Sequence, residues 1–517
     1  MDKIISFIKK ILFFSVLFVA GVTGTIFLMS QETTDDRGDM NNPTLPEVMM
    51  EINGSTLNRM IGYRQKMQVD FTRDSLTPVD SNKDIHFVVD SHDQDIKSLA
   101  YEIRTSDGST VVENRKLKNL QEDEEGIYRV HSAVEFSMKV SQEYSMSITL
   151  ETGVGTVYYY TRIIQRSTKE TVSDYLTFAK DYSEPSVDKE NAGGLYNYLE
   201  PEESYADVNF NRVNINSEWD TITWGEMHPT ITQHGVPTLK EINETTGSIT
   251  MEYQIAALDE NGKQELYEVT DFYRLRDTEL GVALLEFNRE MQQVFDGTLN
   301  VISSEGLLLG IRDRNVHYMM NEASTIVAFV QQGDLWTYTP ETDRFVRVFT
   351  FRKDRNSELR DSRTEHDMKI IRVSEQGDVD FALYGYMNRG IHEGYSGISV
   401  CHYDSEQNVV EEKVFIPSTQ SFEFLKENMG ILSYVNESNQ LFLLFAGKLY
   451  QVDVDGRTYQ ILDQGIDSES FHASDTNAHA AWLTENSRGV RQLKEIDFDT
   501  GKIRLIDPGA NQLVQVL

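Results

Sequence analysis

The chain has 517 residues, with 83 acidic against 48 basic side chains, a formal charge of −35, 39% hydrophobic residues and a single cysteine. That apolar share suits a globular protein with a sizeable core and excludes wholesale disorder, a collagen-like fibre and a multi-span transporter. The acidic excess disfavours nucleic-acid binding and charge-driven attachment to anionic lipid, and the length suits roughly three domains.

The N-terminus carries the clearest signal, because Ile11 to Met29 reads ILFFSVLFVAGVTGTIFLM, 19 residues without a charge. As a helix this run spans about 28 Å, close to the hydrocarbon thickness of a bilayer. Lys3, Lys9 and Lys10 precede it and Glu32, Asp35, Asp36 and Asp39 follow it. The positive-inside rule therefore predicts a single-pass membrane protein with residues 1–10 as a cytoplasmic stub and the bulk of the chain outside. A secretory signal peptide shares the basic start and apolar middle. The run is longer than a usual signal core, however, and Phe27-Leu28-Met29 is no small-x-small cleavage site, which favours an uncleaved anchor. Cys401 is too distant to be a lipoprotein cysteine. The stub carries +2, so the exterior part carries −35 − 2 = −37. One cysteine allows no internal disulfide, a usage ordinary for the outside of a bacterium with a single membrane.

Residues 30–43 read as a polar linker. From 44 to 165 short β-rich runs such as DIHFVVD and YSMSITLETGVGTVYYYTRII alternate with turn pairs such as Asp107-Gly108. About seven strands in that length predict an Ig-like β-sandwich, although no cysteine pair marks a true immunoglobulin domain. The period then changes. Val172, Tyr175, Leu176, Ala179 and Tyr182 recur at helical spacing, so residues 166–205 form a helical connector before a second β-rich domain at 206–297.

Beyond residue 298 the chain repeats one plan, a strand, an Asp/Gly/Asn turn and a second strand. GDLWTYTPETDRFVRVFTF, GISVCHYDSEQNVVEEKVFI, GKLYQVDVDGRTYQILDQGI and LKEIDFDTGKIRLID follow it, with STIVAFVQQ, VDFALYGYM, NQLFLLFAG and AHAAWLTEN upstream as the inner-strand candidates. The residues before each turn, Tyr338, Tyr403, Val454 and Phe498, are spaced by 65, 51 and 44. Residues 298–517 thus resemble the β-propeller superfamily in architecture, without a WD, kelch or YWTD signature that would carry a family function. Closed propellers need four to eight blades. The apolar end Asn511 to Leu517 reads as the first strand of a further repeat, so the ring is expected either to be incomplete or to borrow strands from 206–297. The fold class is therefore mainly β: an N-terminal transmembrane helix, an Ig-like sandwich, a mixed connector region and a propeller-like repeat domain whose ring is either incomplete or closed by strands from 206–297.

Chemistry motifs are sparse. HExxH, GxSxG, CxxC, a Walker A loop and a complete EF-hand loop are all missing from the sequence, and no cofactor or metal is implied. Asp453 to Gly456 and Asp497 to Gly501 bring carboxylates together, but at hairpin turns where Asp and Gly serve the backbone. His228 and His234 lack a third ligand. Cys401 and His402, adjacent on a strand, should point to opposite faces, which makes Cys401 a buried inert thiol. Trp219, Trp224, Trp336 and Trp482 sit in apolar strand contexts and read as core. The densest functional segment is YGYMNRGIHEGYSG, Tyr384 to Gly397. Its Tyr384, Tyr386, Arg389, His392, Glu393 and Tyr395 offer stacking faces, a cation and an acid–base pair, and are the candidate binding residues. The competing reading is a loop whose tyrosines pack and whose charges are solvated. Together these features predict a non-enzymatic, membrane-anchored binding or scaffold protein of the cell envelope, with an envelope protein or wall polymer as partner. A glycan or peptide hydrolase and an extracytoplasmic regulator of a sensor kinase are the alternatives.

Overall fold

The computed structural model describes residues 40–506 except 41, 69–72, 118–119, 124–125, 167–169, 191, 203–209, 260, 300, 304–305, 312–315, 354–359, 361–362, 430–431, 475–477 and 486–488. The apolar run Ile11–Met29 and the terminal stretch Asn511–Leu517 lie outside the described residues. Among the described residues, no helix is long and apolar enough to cross a membrane.

Among the described residues, nine strands make the first unit: β1 (Glu47–Ile52), β2 (Ser55–Met60), β3 (Leu76–Val79), β4 (Asp84–Asp90), β5 (Ser98–Thr105), β6 (Val111–Leu117), β7 (Ile127–Ala133), β8 (Glu143–Thr152) and β9 (Gly155–Gln165). They form two sheets, in the orders β2-β1-β4-β7 and β3-β9-β8-β5-β6, antiparallel except for the β3–β9 pair. Period-2 patterning drives the pairing. On β8 the buried Tyr144, Met146, Ile148 and Leu150 alternate with Thr149 and Glu151, and each such aliphatic side chain contributes about 1.5–3 kcal/mol by leaving water. Phe87 of the first sheet meets Tyr101 of the second with ring centroids 6.0 Å apart, which places the core between the sheets.

The helix Glu170–Ser186 follows, and the residues at helical spacing, Val172, Tyr175, Leu176, Ala179 and Tyr182, are its buried face. It lies on a sheet built from β10 (Arg212–Asn214), β11 (Thr230–Gln233), β12 (Thr238–Ile242), β13 (Thr246–Leu258), β14 (Gln264–Thr278) and β15 (Gly281–Gln293), where Tyr182 sits 4.9 Å from Phe287 and 5.5 Å from Tyr273. The order is β10-β15-β14-β13-β11 with β12 also on β13, so these strands form their own sheet and not a further blade. One continuous hydrophobic core runs from the sandwich through the helix to this sheet.

A two-residue hairpin, β16 (Ile302–Ser303) and β17 (Gly306–Leu307), leads to four successive four-stranded antiparallel meanders. Blade 1 is β18 (Tyr318–Met320), β19 (Val327–Gln331), β20 (Asp334–Thr339) and β21 (Arg344–Phe349). Blade 2 is β22 (His366–Val373), β23 (Val379–Tyr386), β24 (Ser396–Asp404) and β25 (Val409–Ser418). Blade 3 is β26 (Leu432–Val435), β27 (Gln440–Phe445), β28 (Lys448–Asp453) and β29 (Thr458–Gln464). Blade 4 is β30 (His472–Ala473), β31 (His479–Glu485), β32 (Arg491–Asp497) and β33 (Lys502–Ile506). Shared hydrophobic clusters join blade 1 to 2, 2 to 3 and 3 to 4, while Phe295 and Val301 cover the other face of blade 1. The apolar faces that successive meanders turn toward each other are thus buried, the packing logic of a propeller. The hairpin carboxylates serve turns. Asp453 Oδ1 accepts from Gly456 N at 2.9 Å and Asp497 Oδ1 from Thr500 N at 2.9 Å.

His366, at the start of β22, is buried with Nε2 3.2 Å from Gly333 O and the Phe351 ring edge-on at 4.8 Å. Burial, with the charge of Arg352, pulls its pKa down to about 4, although the Gly333 carbonyl and Asp334 oppose the shift. The folded value lies below the ordinary one, so the neutral imidazole contributes stability that is complete above about pH 6.5 and is lost as pH falls toward 4. Relative to His366→Gln, the wild-type urea midpoint should decline between pH 6.5 and 4.5, a difference that isolates the imidazole from Glu252 and Glu268, whose raised carboxyls titrate in the opposite sense. The buried Glu47 does not confuse this window. Burial would raise its carboxyl, but His92, Arg363 and Arg59 outweigh that and hold it well below the ordinary range, so its contribution fades only below about pH 4.5.

Candidate binding site

The segment after β23 doubles back tightly, because Met387 N donates to Tyr395 O at 2.9 Å and Gly394 N to Met387 O at 3.0 Å. Gly394 holds φ +81°, and a Cβ there would stand 2.5 Å from Leu45 Cδ1, so glycine lets the sandwich approach. Arg64 N then donates to Gly394 O at 2.8 Å.

The six candidate residues are divided among three surroundings. Tyr384 is buried in the core between blades 2 and 3, stacked on Phe422 at 6.3 Å. Tyr386 and Glu393 face the sandwich. The Tyr386 hydroxyl donates to Gly62 O at 2.8 Å, and the Glu393 carboxylate accepts from Thr44 N, Thr44 Oγ1 and Leu45 N at 2.6, 2.7 and 2.9 Å. Tyr395 stands beside the third, edge-on to His392 and to Phe415 at 6.4 Å each. Only Arg389 and His392 line a common cavity.

That cavity, about 400 Å³, lies at the outer end of the blade 1–blade 2 core. Phe349 and Phe351 wall it on the blade 1 side, and Leu383, Met387 and Val410 on the blade 2 side, with Ile391 at its mouth. Buried Arg389 spans one edge, donating from Nη1 to Phe351 O at 2.9 Å and from Nη2 to Met40 O at 3.0 Å. Across it, Glu412 accepts from Ser399 Oγ at 2.6 Å and lies 2.8 Å from His392 Nε2, while the imidazole stacks on Phe415 at 3.8 Å. Burial would raise the Glu412 carboxyl, but the hydrogen bonds from His392 and Ser399 outweigh it and hold the group below the ordinary range, ionised at neutral pH.

This wiring positions groups and does not activate a nucleophile. The carboxylate sits between the serine and the imidazole, so His392 faces Glu412 and not Ser399, whereas a hydrolytic triad places the histidine in the middle. Cys401 Sγ, 3.3 Å from Ser399 Oγ, is buried, and burial pushes its thiol up to about 12, so it is not a thiolate at neutral pH. Its neighbour His402 turns to the other face, where Nδ1 lies 2.7 Å from Asp380.

No protein-family model matches the chain, and no curated protein matches it. Among solved structures, TolB from Acinetobacter baumannii aligns at 12% identity over 50% of this chain and 60% of its own, with a TM-score of 0.22. Porphyromonas gingivalis dipeptidyl peptidase 4 aligns at 10% identity over 51% and 39%, TM-score 0.26. A Mycobacterium tuberculosis puromycin-hydrolyzing peptidase aligns at 9% over 72% and 52%, TM-score 0.25. The chain thus spans 39 to 60% of the lengths of these three proteins. Likeness at this level carries no argument, and the propeller-like architecture rests on the four meanders.

Residue patterns do not point to Ser399 and Glu412, because only the β24–β25 register, with a bulge at Val400/Cys401, brings them together. The remaining candidates take structural places. Trp224, Trp336 and Trp482 are buried, and His228 and His234 are exposed beside Glu226 and Glu184. Among the described residues, no group of three side chains could hold a metal. A second, polar cleft of about 130 Å³ opens where the sandwich, the six-stranded sheet and the approach to blade 2 meet, and Arg59, Lys240, Glu252 and Arg363 line it. Glu252 reaches the open cleft, yet the surrounding protein and Glu365 push its carboxyl up to about 7.

Proposed function

We propose that the chain is a membrane-anchored, extracytoplasmic binding or scaffold protein of the cell envelope, whose binding site is the cavity between blades 1 and 2. The observation that carries this reading is the cavity itself, with apolar walls and a few convergent polar groups wired to hold position and not to react. The anchor rests on the charge asymmetry across Ile11–Met29. The sheet orders of the sandwich, with its parallel β3–β9 edge, support an Ig-like reading of the first domain. Glu252 favours a second reading, a glycan or peptide hydrolase, because a carboxyl near pH 7 in a cleft suits general acid–base work.

Protease added to intact cells, or to protoplasts where a wall exists, should digest the chain beyond residue 40, and a pull-down from gently solubilised membranes should recover an envelope protein or wall polymer. Full protection would reverse the topology. A co-purifying sensor kinase would shift the role to regulation. Turnover of wall glycan or peptide that Glu252→Gln abolishes would replace the binding reading by the hydrolase.

A further inference from the structure

The cavity's charges and walls together restrict what it can hold. With the His392 imidazole neutral, Arg389 and Glu412 are its opposed ions, +1 and −1, and Arg347 is directed elsewhere, its guanidinium 5.8 Å from the Trp336 ring centroid on the other face of blade 1. A ligand head of either sign would therefore meet one like charge, and would also surrender its hydration against apolar walls, a cost that an uncharged hydroxyl largely escapes. Glu412 spends one acceptor position on Ser399 and one on His392, out of about four on an ionised carboxylate, and so can take a further hydrogen-bond donor. Ile391, 83% exposed, lines the mouth and extends the apolar lining to the surface. We infer that the cavity binds a neutral amphiphile, an apolar chain or ring ending in a hydroxyl that donates to Glu412. This rests on the cavity being the binding site and not on the membrane anchor.

The full chain in lipid nanodiscs, labelled at methionine methyl carbons, provides a local reporter, because Met387 lines the cavity and its signal is assigned with Met387→Leu. Titration with 1-octanol should shift the Met387 methyl saturably. Octanoate and octylammonium should bind at least tenfold more weakly at that methyl. Ile391→Asp, at an exposed rim, should weaken octanol at least fivefold with an unchanged thermal melt. Equal or tighter binding of either charged congener would overturn the ligand class while keeping the site. No Met387 response to any of the three probes would overturn the site itself, and with it the binding reading above.

Discussion

Asp271→Ala should remove about 3–5 kcal/mol of unfolding free energy, measured by urea denaturation, because it strands a cation in the centre of the six-stranded sheet. Asp271 and Arg289 have no exposed side-chain surface. Arg289 Nε donates to Asp271 Oδ1 at 2.8 Å and Nη2 to Oδ2 at 3.2 Å, while Nη1 and Nη2 also reach Ile222 O and Ser186 Oγ at 2.9 and 3.1 Å. The hydroxyls of Tyr253 and Tyr273 donate to Oδ2 at 3.0 and 2.8 Å, and the guanidinium lies 4.2 Å from the Trp224 ring. The carboxylate therefore satisfies four donor groups that no water can reach, and its loss leaves all of them short. Replacing both partners, Asp271→Leu with Arg289→Met, should recover only part of the loss, since the apolar pair removes the stranded charge but leaves the Tyr253 and Tyr273 hydroxyls and the Ile222 carbonyl without these partners. A single-variant loss below about 1 kcal/mol would mean that water enters to solvate the arginine.

Glu393→Ala should cost about 2–4 kcal/mol, because one buried carboxylate holds the chain segment that leads into the sandwich. It accepts two backbone amides and one hydroxyl from Thr44 and Leu45, and Arg360 adds bonds to the carbonyls of Pro43 and Leu45. Without it the amides of Thr44 and Leu45 are left unsatisfied, and their hydrogen exchange should approach that of exposed loops while the protection of β31 and β32 stays unchanged. Glu393→Gln, which keeps one carbonyl acceptor, should lose roughly half as much. Unchanged exchange at Thr44 in the alanine variant would show that the Arg360 contacts alone hold this segment.

Both sites lay beyond what residue patterns could show. Asp271 and Arg289 read as polar positions on two amphipathic strands, and only the β14–β15 register, which pairs them directly, makes them partners. Glu393 sat within a segment rich in functional residue types, yet three-way packing divides that segment among blade 3, the sandwich and the cavity. Nothing along the chain marks which neighbour each side chain meets, because those neighbours lie some 20 to 350 residues away.

Local periodicity was legible because it reports burial of one face, and burial is what selects strand or helix. The blade hairpins, the helical face from Val172 to Tyr182 and the turn roles of Asp453 and Asp497 follow from spacing and turn chemistry within about twenty residues. The first strands of the four meanders, β18, β22, β26 and β30, escaped, so the strands read as inner are the second of each sheet; three of the four are four residues or shorter and carry little alternation. The continuous core from sandwich to six-stranded sheet, the buried ion pair and the cavity opposing Arg389 to Glu412 depend on sheet register and on which faces meet. Those are set by the cooperative packing of distant segments, where burial and charge compensation are decided jointly and not residue by residue.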